Sequence, residues 1–451
     1  MKPLRHSISK IIMLNKWLFT RIDNSALVVF RIFFGLLIAL EAFGAIFTDW
    51  IRHTLMEPVE TFNFIGFEFL QPLPGDGMLY YYGVMGFFGL MVMAGYKYRI
   101  AIIAYTIMWS GVYLMQKSSY NNHYYLLMLL CIIMSFLPAN RYAAIDSWKN
   151  PKLRDISMPR WVWVVIVLQM WIVYTYAAIA KIYPDWMDGT FPEVLMGSKE
   201  DYWLVGGILQ QSWVHYSITG FGFLFDLLII PLLLWRKTRI YAFIAAIFFH
   251  LFNSFIFHIG IFPYLSLALT LFFFPSEKIN SIFLRKKKTY YDKKLIIILP
   301  YRNFLIAVMA GWFIVQISLP LRHWFFQDNV LWTEEGHRLS WRMMLRSKSS
   351  SGTFKVVEKG KNDTIYINDS NYLSRKQMRS VYSKPDMIWQ YSQRLKRDYA
   401  AQGKDVQVFV NSRVSVNGRP YRRFIDPKVD IAAEKWHHFK HHDWILPSKL
   451  D

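Results

Sequence analysis

One lysine of the sequence, Lys181, has the setting of a catalytic base. It ends an apolar stretch within "YAAIAKIYPDWMDG", residues 176–189, and aliphatic and aromatic side chains flank it. An ammonium group in such a setting loses hydration, which favours the neutral amine, and a neutral amine can accept a proton from a substrate. The sequence therefore indicates Lys181 as a candidate catalytic residue. The alternative is a structural lysine whose long side chain reaches from a membrane edge into water.

Amide and imidazole groups lie at the edges of two further apolar stretches, "SSYNNHYYL" (118–126) and "FFHLFNSFIFHIGIF" (248–262). Polar groups at the edge of a bilayer are costly unless something holds them, and amides and imidazoles can bind the oxygens of an aromatic diol or quinone. The alternative is that they cap helices beside an aromatic belt. We predict that a lipid-soluble quinol is bound by Asn121, Asn122, His123, Asn253 and His258.

The tail "KWHHFKHHDW" (435–444) and the cysteine content bear on metal binding. His437/His441 and His438/His442 have the i,i+4 spacing of two-ligand faces on a helix. Short histidine tracts also occur on ordinary surfaces, and no cysteine or carboxylate framework accompanies this one, so we expect no metal site. Cys131 is the one cysteine of the chain and lies in an apolar stretch, which excludes an internal disulfide.

Apolar residues are grouped in blocks that could cross a bilayer. The chain has 451 residues, of which 54% are hydrophobic and 18% aromatic. Blocks of about 20 apolar residues match the ~30 Å hydrocarbon thickness of a membrane. We expect Arg31, Glu41 and Asp226, charges within these blocks, to face the bundle interior as structural pairs or cavity linings. The candidate spans are Leu27–Phe47, Met78–Gly95, Ile100–Met115, Tyr124–Leu137, Trp161–Ala180, Phe221–Trp235, Tyr241–Phe257, Ile261–Phe274 and Leu295–Leu319.

The distribution of basic residues predicts the topology. Basic residues crowd the connections at 2–21, 97–99, 141–160, 236–239 and 285–294, whereas the alternating connections up to the last span hold only Arg52, Lys117, Lys181 and Lys199. The positive-inside rule then places the N-terminus in the cytoplasm and, with nine spans, the C-terminal part outside. The net charge of +21 is divided between loops that a membrane separates, which argues against nucleic-acid binding.

The residues after the last span predict a soluble domain. "GTFKVVEKGKNDTIYIND" (352–369) alternates as strands do, Asn417-Gly418 within 406–425 is a hairpin signal, and 374–402 has the pattern of one helix. We predict an α-helical polytopic membrane bundle of eight or nine helices with a C-terminal β-rich α+β domain. Its parts are a basic cytoplasmic N-terminus at 1–24, a membrane domain at 25–319 and an outer domain at 320–451, which is either a scaffold or a platform for acidic peptides.

Seven stretches occur in the order of a known family. They are "SALVVFRIFFGLLIAL" (25–40), "QPLPGDGMLYYYGVM" (71–85), "SSYNNHYYL" (118–126), "YAAIAKIYPDWMDG" (176–189), "FFHLFNSFIFHIGIFPYLSLA" (248–268), "ISLPLRHW" (317–324) and "HRLSWRMMLRSKS" (337–349). In these motifs the chain resembles the vitamin K-dependent γ-glutamyl carboxylases and the wider HTTM (horizontally transferred transmembrane) domain group, as a short prokaryotic-type homologue.

The resemblance implies a reaction and its participants. In this family a lysine amine deprotonates reduced vitamin K, oxygen converts the quinol to its epoxide through a strong alkoxide-type base, and that base removes a γ-proton from protein-bound glutamate. The resulting carbanion attacks CO₂. The implied partners are membrane lipids, a quinol (vitamin K or a bacterial-type menaquinol), O₂, CO₂ and a glutamate-containing peptide, in a bacterial inner membrane.

The resemblance also assigns roles to individual residues. Lys181 matches the catalytic lysine, His123 and Asn122 match vitamin-contacting residues, and Trp341, Met343, Met344 and Arg346 fall in the motif of the glutamate site. Arg346 replaces an imidazole of the animal pattern, so glutamate positioning differs there. The animal enzymes have a longer outer region that binds a propeptide and an outer disulfide, and the resemblance carries neither over.

Three functions are compatible with these observations. The first is a γ-glutamyl carboxylase coupled to quinol epoxidation, the second a quinol epoxidase that carboxylates nothing, and the third a non-catalytic quinone- or lipid-binding module or transporter. Transporters commonly contain internal repeats or broken helices at mid-membrane. The sequence has no evident repeat and its polar groups gather at one membrane edge, which argues against transport.

Overall fold

The computed structural model describes residues 13–292, 294–297, 299–361 and 363–448. The basic residues predicted for the start of the chain, Lys2, Arg5 and Lys10, lie outside the described residues, as does Lys293 of the basic run at 285–294. The membrane part contains, in chain order, α1 (Ser25–Phe47), α2 (Gly77–Ala94), α3 (Tyr98–Met115), α4 (Asn122–Phe136), α5 (Ile145–Lys149), α6 (Arg160–Ala180), α7 (Pro184–Met187), α8 (Thr190–Gly197), α9 (Gly206–Leu209), α10 (Ser212–Leu234), α11 (Arg239–Phe257), α12 (Phe262–Leu269), α13 (Ser276–Phe283) and α14 (Arg302–Leu321).

Helix length and hydropathy confirm a multi-pass membrane bundle. In the described part of the chain, seven helices are long and apolar enough to cross a membrane, and the apolar stretches Asn122–Phe136 and Phe262–Phe273 are shorter. These nine segments coincide with the nine predicted ones. Most bounds differ by one or two residues, and two starts differ by more: α10 begins at Ser212, nine residues before the predicted start, and α14 begins at Arg302, seven residues after it. Pro300 explains the later start of α14, because the residue before a proline disfavours helical geometry.

Helices α1 and α2 pack with their backbones almost in contact. A Cβ atom at Gly35 of α1 would lie 2.2 Å from the backbone nitrogen of Met93 in α2, and one at Gly89 would lie 2.8 Å from that of Ala39. Small residues at such crossings allow the close packing on which helix association in membranes depends. Helix α14 docks differently, since Trp312 donates a hydrogen bond of 2.9 Å to Gln169 of α6.

The predicted interior charges of α1 have found polar partners. The buried guanidinium of Arg31 donates to three carbonyl groups of the loop after α4, at Ala139, Tyr142 and Ala143. Glu41 interacts with the Tyr124 hydroxyl and the Ile261 backbone. Each charge therefore connects α1 to another part of the bundle instead of facing lipid.

The C-terminal part is built on an antiparallel sheet. Two short strands, β1 (Arg21–Asp23) and β2 (Ser157–Pro159), pair beside the membrane helices. The larger sheet contains β3 (Lys348–Glu358), β4 (Thr364–Tyr366), β5 (Val406–Val416) and β6 (Arg422–Arg423) in the order β4-β3-β5-β6. β3 and β5 pair over eleven residues, from Lys348↔Val416 to Glu358↔Val406. Asn417 and Gly418 have the positive φ angles, 52° and 77°, that the predicted hairpin requires.

One predicted helix of this part is broken in two. The chain forms α15 (Val330–Thr333) before the sheet and then α16 (Arg375–Val381) and α17 (Pro385–Ala400), where a single helix over 374–402 was predicted. Pro385 causes the break, because it lacks an N–H and restricts the residue before it. A capping box of Ser374 and Gln377 starts α16. Helix α17 packs its apolar face on β5 to form the core of this part.

Buried polar contacts fasten the C-terminal part to the membrane bundle. Asp185 accepts hydrogen bonds from Asn417 at 2.7 Å and from Arg419, both in the β5–β6 turn. The Arg419 guanidinium holds the pKa of the Asp185 carboxyl below its usual range. On the other side, Lys117 forms a buried ion pair of 2.6 Å with Asp386 at the start of α17.

Candidate functional site

Lys181 lies at the end of helix α6 and is buried beside a carboxylate. The helix ends there because the following segment turns into α7, which begins with Pro184. Only 6% of Lys181 is exposed, its ammonium nitrogen lies 5.1 Å from the centre of the Trp186 ring, and it forms an ion pair with Asp226 of α10. The prediction of an apolar and aromatic setting agrees with this geometry, but the setting also contains a carboxylate.

Asp226 is a residue of this site that the sequence indicated as part of a structural pair or a cavity lining and not as a catalytic group. It was expected to face the bundle interior, without a named partner. The signal was present: a carboxylate in the middle of an apolar helix is costly and must be paired or hydrogen-bonded. Trp186 of α7 is held to α10 as well, since its indole N–H donates to the Thr219 carbonyl at 3.3 Å. Lys181, Trp186 and Asp226 thus form one buried unit.

A second cluster contains two histidines. The ring of His123, in α4, stacks on Phe262 with the ring centres 4.0 Å apart. The His250 ring is edge-on to Phe262 at 6.2 Å, and its Nε2 atom lies 3.0 Å from the Tyr174 hydroxyl. Nδ1 of His250 is buried without a hydrogen-bond partner, and within the described residues His123 makes no hydrogen bond through its ring. Such free nitrogens can accept or donate a bond to a ligand.

Aromatic packing joins the two clusters. Phe225, next to Asp226 in α10, stacks on Phe249 with the ring centres 4.0 Å apart and meets the His250 ring at 5.8 Å. Tyr174 contacts both Phe225 and His250. Lys181 and His123, two of the predicted residues, do not touch but are connected by successive contacts through α10, α11 and Phe262 of α12. Aromatic rings between the polar ends are suited to a flat, apolar ligand with oxygens at its edges.

The two asparagines before His123 have different contacts. Asn121 is the N-cap of α4, where its side-chain oxygen accepts the Tyr124 N–H at 2.7 Å, as in the helix-cap alternative. Asn122 accepts the Tyr120 hydroxyl at 2.8 Å and donates to the Arg342 carbonyl at 3.0 Å. Asn122 therefore connects the histidine-bearing helix to the loop of the predicted glutamate motif.

Asn253 and His258 have their hydrogen bonds elsewhere. The Asn253 amide donates to the Phe249 carbonyl of its own helix at 2.7 Å. His258 is exposed, ends α11 in a left-handed conformation with φ 50°, and lies 3.5 Å from the Tyr202 hydroxyl. His250, one turn before Asn253, is the residue of α11 that joins the histidine cluster. The predicted set of quinol-binding residues did not include it, although the motif contained it.

The predicted glutamate motif is a strained loop against the membrane bundle. Leu339, Trp341 and Met344 have positive φ angles of 60°, 56° and 48°, a backbone conformation that residues other than glycine rarely adopt. Trp341 is buried and stacks on Tyr125 of α4 with the ring centres 4.8 Å apart. Met343 packs on the same apolar core. Such strain persists only where the surroundings hold it, which is common at functional sites.

Arg346, the fourth predicted residue of this motif, is occupied by a carboxylate. It forms a two-pronged ion pair with Glu334, which also lies 3.4 Å from Lys348. Burial alone would raise the pKa of Glu334, but the charges of Arg346 and Lys348 outweigh it and hold that pKa well below the usual range. Burial lowers the pKa of Lys348 to about 8. Arg346 is therefore part of a buried charge network.

A cavity opens beside this motif. It has a volume of about 310 Å³ and lies between the membrane bundle and the C-terminal part. Its wall includes Lys117, Arg322, Glu334, Gly336 and Asp386. The histidine tail borders it too: His441 and His442 are 2.6 and 2.9 Å from Glu335 and do not lie on a helix. The tail thus closes one side of a charged cavity.

Comparison with known families agrees with this architecture. Residues 19–277, more than half of the chain, match the HTTM domain, a membrane domain that fits the helical bundle described above. Residues 301–451 match the lumenal domain of vitamin K-dependent gamma-carboxylase. The chain is thus a multi-pass membrane protein of the HTTM class, and it belongs to the vitamin K-dependent gamma-glutamyl carboxylase family. No solved structure matches the chain.

Proposed function

We propose that this protein couples oxygenation of a reduced lipid-soluble quinol, vitamin K hydroquinone or a menaquinol, to carboxylation of peptidyl glutamate. Oxidation of the quinol to its epoxide by O₂ supplies the basicity needed to remove a γ-proton from glutamate, and the carbanion then adds CO₂. The family of the chain supports this reaction class. The observation that carries the proposal is the buried Lys181–Asp226 pair beside Trp186 and the histidine cluster.

Lys181 is the proposed base that starts the reaction. An amine can accept a proton from a quinol hydroxyl only after its own proton has moved, and Asp226 is placed to receive it. In a dry pocket the charged pair and the neutral pair, an amine beside a carboxylic acid, are closer in free energy than they are in water. The proposed role of Asp226 is to hold this proton and to fix the position of the Lys181 side chain.

The residues of the histidine cluster fit a quinol. The unpartnered Nδ1 of His250 and the free ring nitrogens of His123 can bond the quinol oxygens. Phe225, Phe249 and Phe262 supply flat apolar contacts for the fused rings. The apolar tail of the quinol would remain among membrane lipids. To bind the quinol, Asn121, Asn253 and His258 would have to give up the hydrogen bonds described above and bond the quinol oxygens instead.

The proposed topology follows from the basic residues. The N-terminus lies in the cytoplasm and the C-terminal part lies on the outer side of a bacterial inner membrane. The glutamate-bearing peptide then reaches the enzyme from outside, at the cavity next to Trp341, Met343 and Met344. The quinol enters from the bilayer, so the two substrates arrive by separate routes. The proposed boundaries of the parts remain residues 1–24, 25–319 and 320–451.

Epoxide formation and carboxylation together test the proposal. The purified protein in lipid nanodiscs is given reduced vitamin K or menaquinol, O₂, labelled bicarbonate and a glutamate-rich peptide. Wild type is expected to form epoxide and fix label, and Lys181→Ala to lose both by about 100-fold or more, the usual contribution of a general base. Lys359→Ala is the matched control, because Lys359 is half exposed in a surface pair with Asp405.

A quinol epoxidase without carboxylation is the second candidate. The pairing of Arg346 with Glu334 favours it, because this arginine of the glutamate motif is already occupied. Epoxide without fixed label in wild type would support this candidate. Neither product with several quinols and peptides, together with unchanged quinol binding by Lys181→Ala, would instead support a binding module.

A further inference from the structure

Arg342 is a buried cation with no carboxylate at ion-pair distance among the described residues, although Glu334 attracts it from farther away. Only 8% of its surface is exposed, its Nε atom is buried without a hydrogen-bond partner, and within the described residues it forms no ion pair. Its one side-chain hydrogen bond, from a terminal nitrogen to Nε2 of His323, is long at 3.4 Å. A guanidinium has five N–H donors, so most of this group is unused. Burying a charge in this state is costly unless an anion joins it.

The neighbouring cations differ from Arg342 in this respect. Arg346 and Lys348 share Glu334, and Arg338 pairs with Asp386. Arg31, the other deeply buried arginine considered above, donates to three carbonyl oxygens. Among the described cations of the predicted glutamate motif, Arg342 is the one that forms no ion pair.

The contact with His323 does not neutralise Arg342. Nδ1 of His323 lies 2.7 Å from the Pro320 carbonyl, to which it must donate its hydrogen. Nε2 is then the acceptor of the neutral ring, and it receives the Arg342 N–H. Burial, with the repulsion of Arg346, lowers the pKa of Arg342 to about 10, so the group remains charged at neutral pH.

Arg342 lies between the quinol site and the cavity. Its carbonyl accepts the Asn122 amide, next to His123, and its guanidinium interacts electrostatically with Tyr183, two residues beyond Lys181. On the other side, Gly336 of the cavity wall packs on His323, since a Cβ atom at Gly336 would lie 2.8 Å from that of His323. The Arg342 guanidinium is therefore linked to the cavity wall through His323.

We infer that the Arg342 guanidinium binds a carboxylate of the glutamyl substrate, a role that rests on the proposed function. A guanidinium and a carboxylate form two parallel hydrogen bonds, which fixes the orientation of the acid as well as its position. The bond holds the glutamyl side chain so that its γ-carbon faces the histidine cluster, where the base formed from the quinol would remove the γ-proton. Arg346 keeps the loop in place through Glu334 and does not contact the substrate.

Peptide binding tests this role without any turnover. A fluorescent glutamate-rich peptide, and the same peptide with glutamine in place of glutamate, are titrated onto the protein in nanodiscs and followed by anisotropy. Wild type is expected to prefer the glutamate peptide. Arg342→Gln should weaken that binding by about 10- to 100-fold, as for a charged hydrogen bond, and should leave the glutamine peptide unaffected. Arg342→Lys keeps the charge but not the two-pronged geometry. Its affinity for the glutamate peptide should lie between those of wild type and Arg342→Gln.

Each outcome supports or overturns the assignment. Arg397→Gln is the matched control, because Arg397 is 63% exposed in a surface pair with Glu60. Wild-type affinity for the glutamate peptide in both Arg342 variants, or equal wild-type affinity for the two peptides, would overturn it. If Arg342→Gln does not fold, the affinity of Arg342→Lys for the glutamate peptide tests the assignment. Absence of epoxide and fixed label in wild type would refute the proposed reaction, while peptide binding would still report on Arg342.

Discussion

The side-chain amide of Asn122 donates a hydrogen bond of 3.0 Å to the main-chain carbonyl of Arg342, across 220 positions of the sequence. The bond connects the helix that carries His123 to the loop that carries the glutamate motif. Because Trp341 stacks on Tyr125 of the same helix, the loop is held at two points. A substitution in helix α4 should therefore alter the position of this loop, and a substitution in the loop should alter helix α4.

Asn122→Ala should loosen the glutamate loop. The change removes both hydrogen bonds of a buried side chain. The Tyr120 hydroxyl loses its acceptor, although it still accepts the Leu339 N–H, and the Arg342 carbonyl loses its donor, which costs about 1–3 kcal/mol per buried group. We expect a lower melting temperature and a higher KM for the glutamate peptide. Thermal unfolding and steady-state kinetics measure both. An unchanged peptide KM in a folded Asn122→Ala protein would contradict the connection, and Asn150→Ala, at an exposed turn, is the control.

The Lys181–Asp226 pair predicts a mutational cycle in stability. Lys181→Met or Asp226→Leu alone leaves one buried charge unpaired and should cost about 3–5 kcal/mol, whereas the double variant replaces both charges with apolar groups and should regain most of that loss. Denaturant or thermal unfolding of the four proteins measures the coupling. Activity should not return in the double variant, because the amine is absent. Additive losses of stability would mean that the two side chains do not interact.

The docking of the β5–β6 turn should weaken in acid. Arg419 and Asn417 hold the pKa of Asp185 below its ordinary value of about 3.9, so the folded state favours the carboxylate. This stabilisation is fully present above about pH 4 and is lost as the pH falls through the lowered pKa of the folded state. Asp185→Asn should be less stable than wild type at pH 7 and lose less on acidification.

Urea unfolding of both proteins at pH 7 and pH 3 measures this difference. The relevant quantity is the change in midpoint between the two pH values, compared between wild type and Asp185→Asn. Equal changes in the two proteins would show that other carboxylates dominate the acid response.

Gly352→Ala should destabilise the C-terminal sheet. A Cβ atom at Gly352 would lie 2.4 Å from the Tyr382 ring and 2.7 Å from the Asn411 carbonyl oxygen. Overpacking of this kind costs about 1–3 kcal/mol, and unfolding followed by tryptophan fluorescence measures it. Gly197→Ala is the control, since nothing lies within 4 Å of its added Cβ atom. A stable Gly352→Ala protein would mean that the Tyr382 ring moves aside at little cost.

The helices and turns of the fold could be predicted from the sequence because each depends on neighbouring residues. Blocks of apolar residues of membrane-crossing length indicate spans, and Asn417-Gly418 indicates a turn from two neighbouring residues alone. The start of α14 and the break before α17 were placed wrongly for a local reason too, since Pro300 and Pro385 were given too little weight. The predicted roles of Lys181 and His123 likewise came from their immediate surroundings, and they remain predictions.

The partners of these residues depended on the tertiary structure. Asp226 is 45 positions from Lys181, and no local pattern distinguishes a carboxylate that pairs with it from one that faces another helix. The same holds for Arg346, which pairs with Glu334, and for Arg342, which within the described chain pairs with no carboxylate. The sequence by itself determined that charges are buried in this protein. Only the packing of distant helices and loops decided which of these charges form ion pairs and which do not, because pairing depends on distances of a few ångströms between groups far apart in the chain.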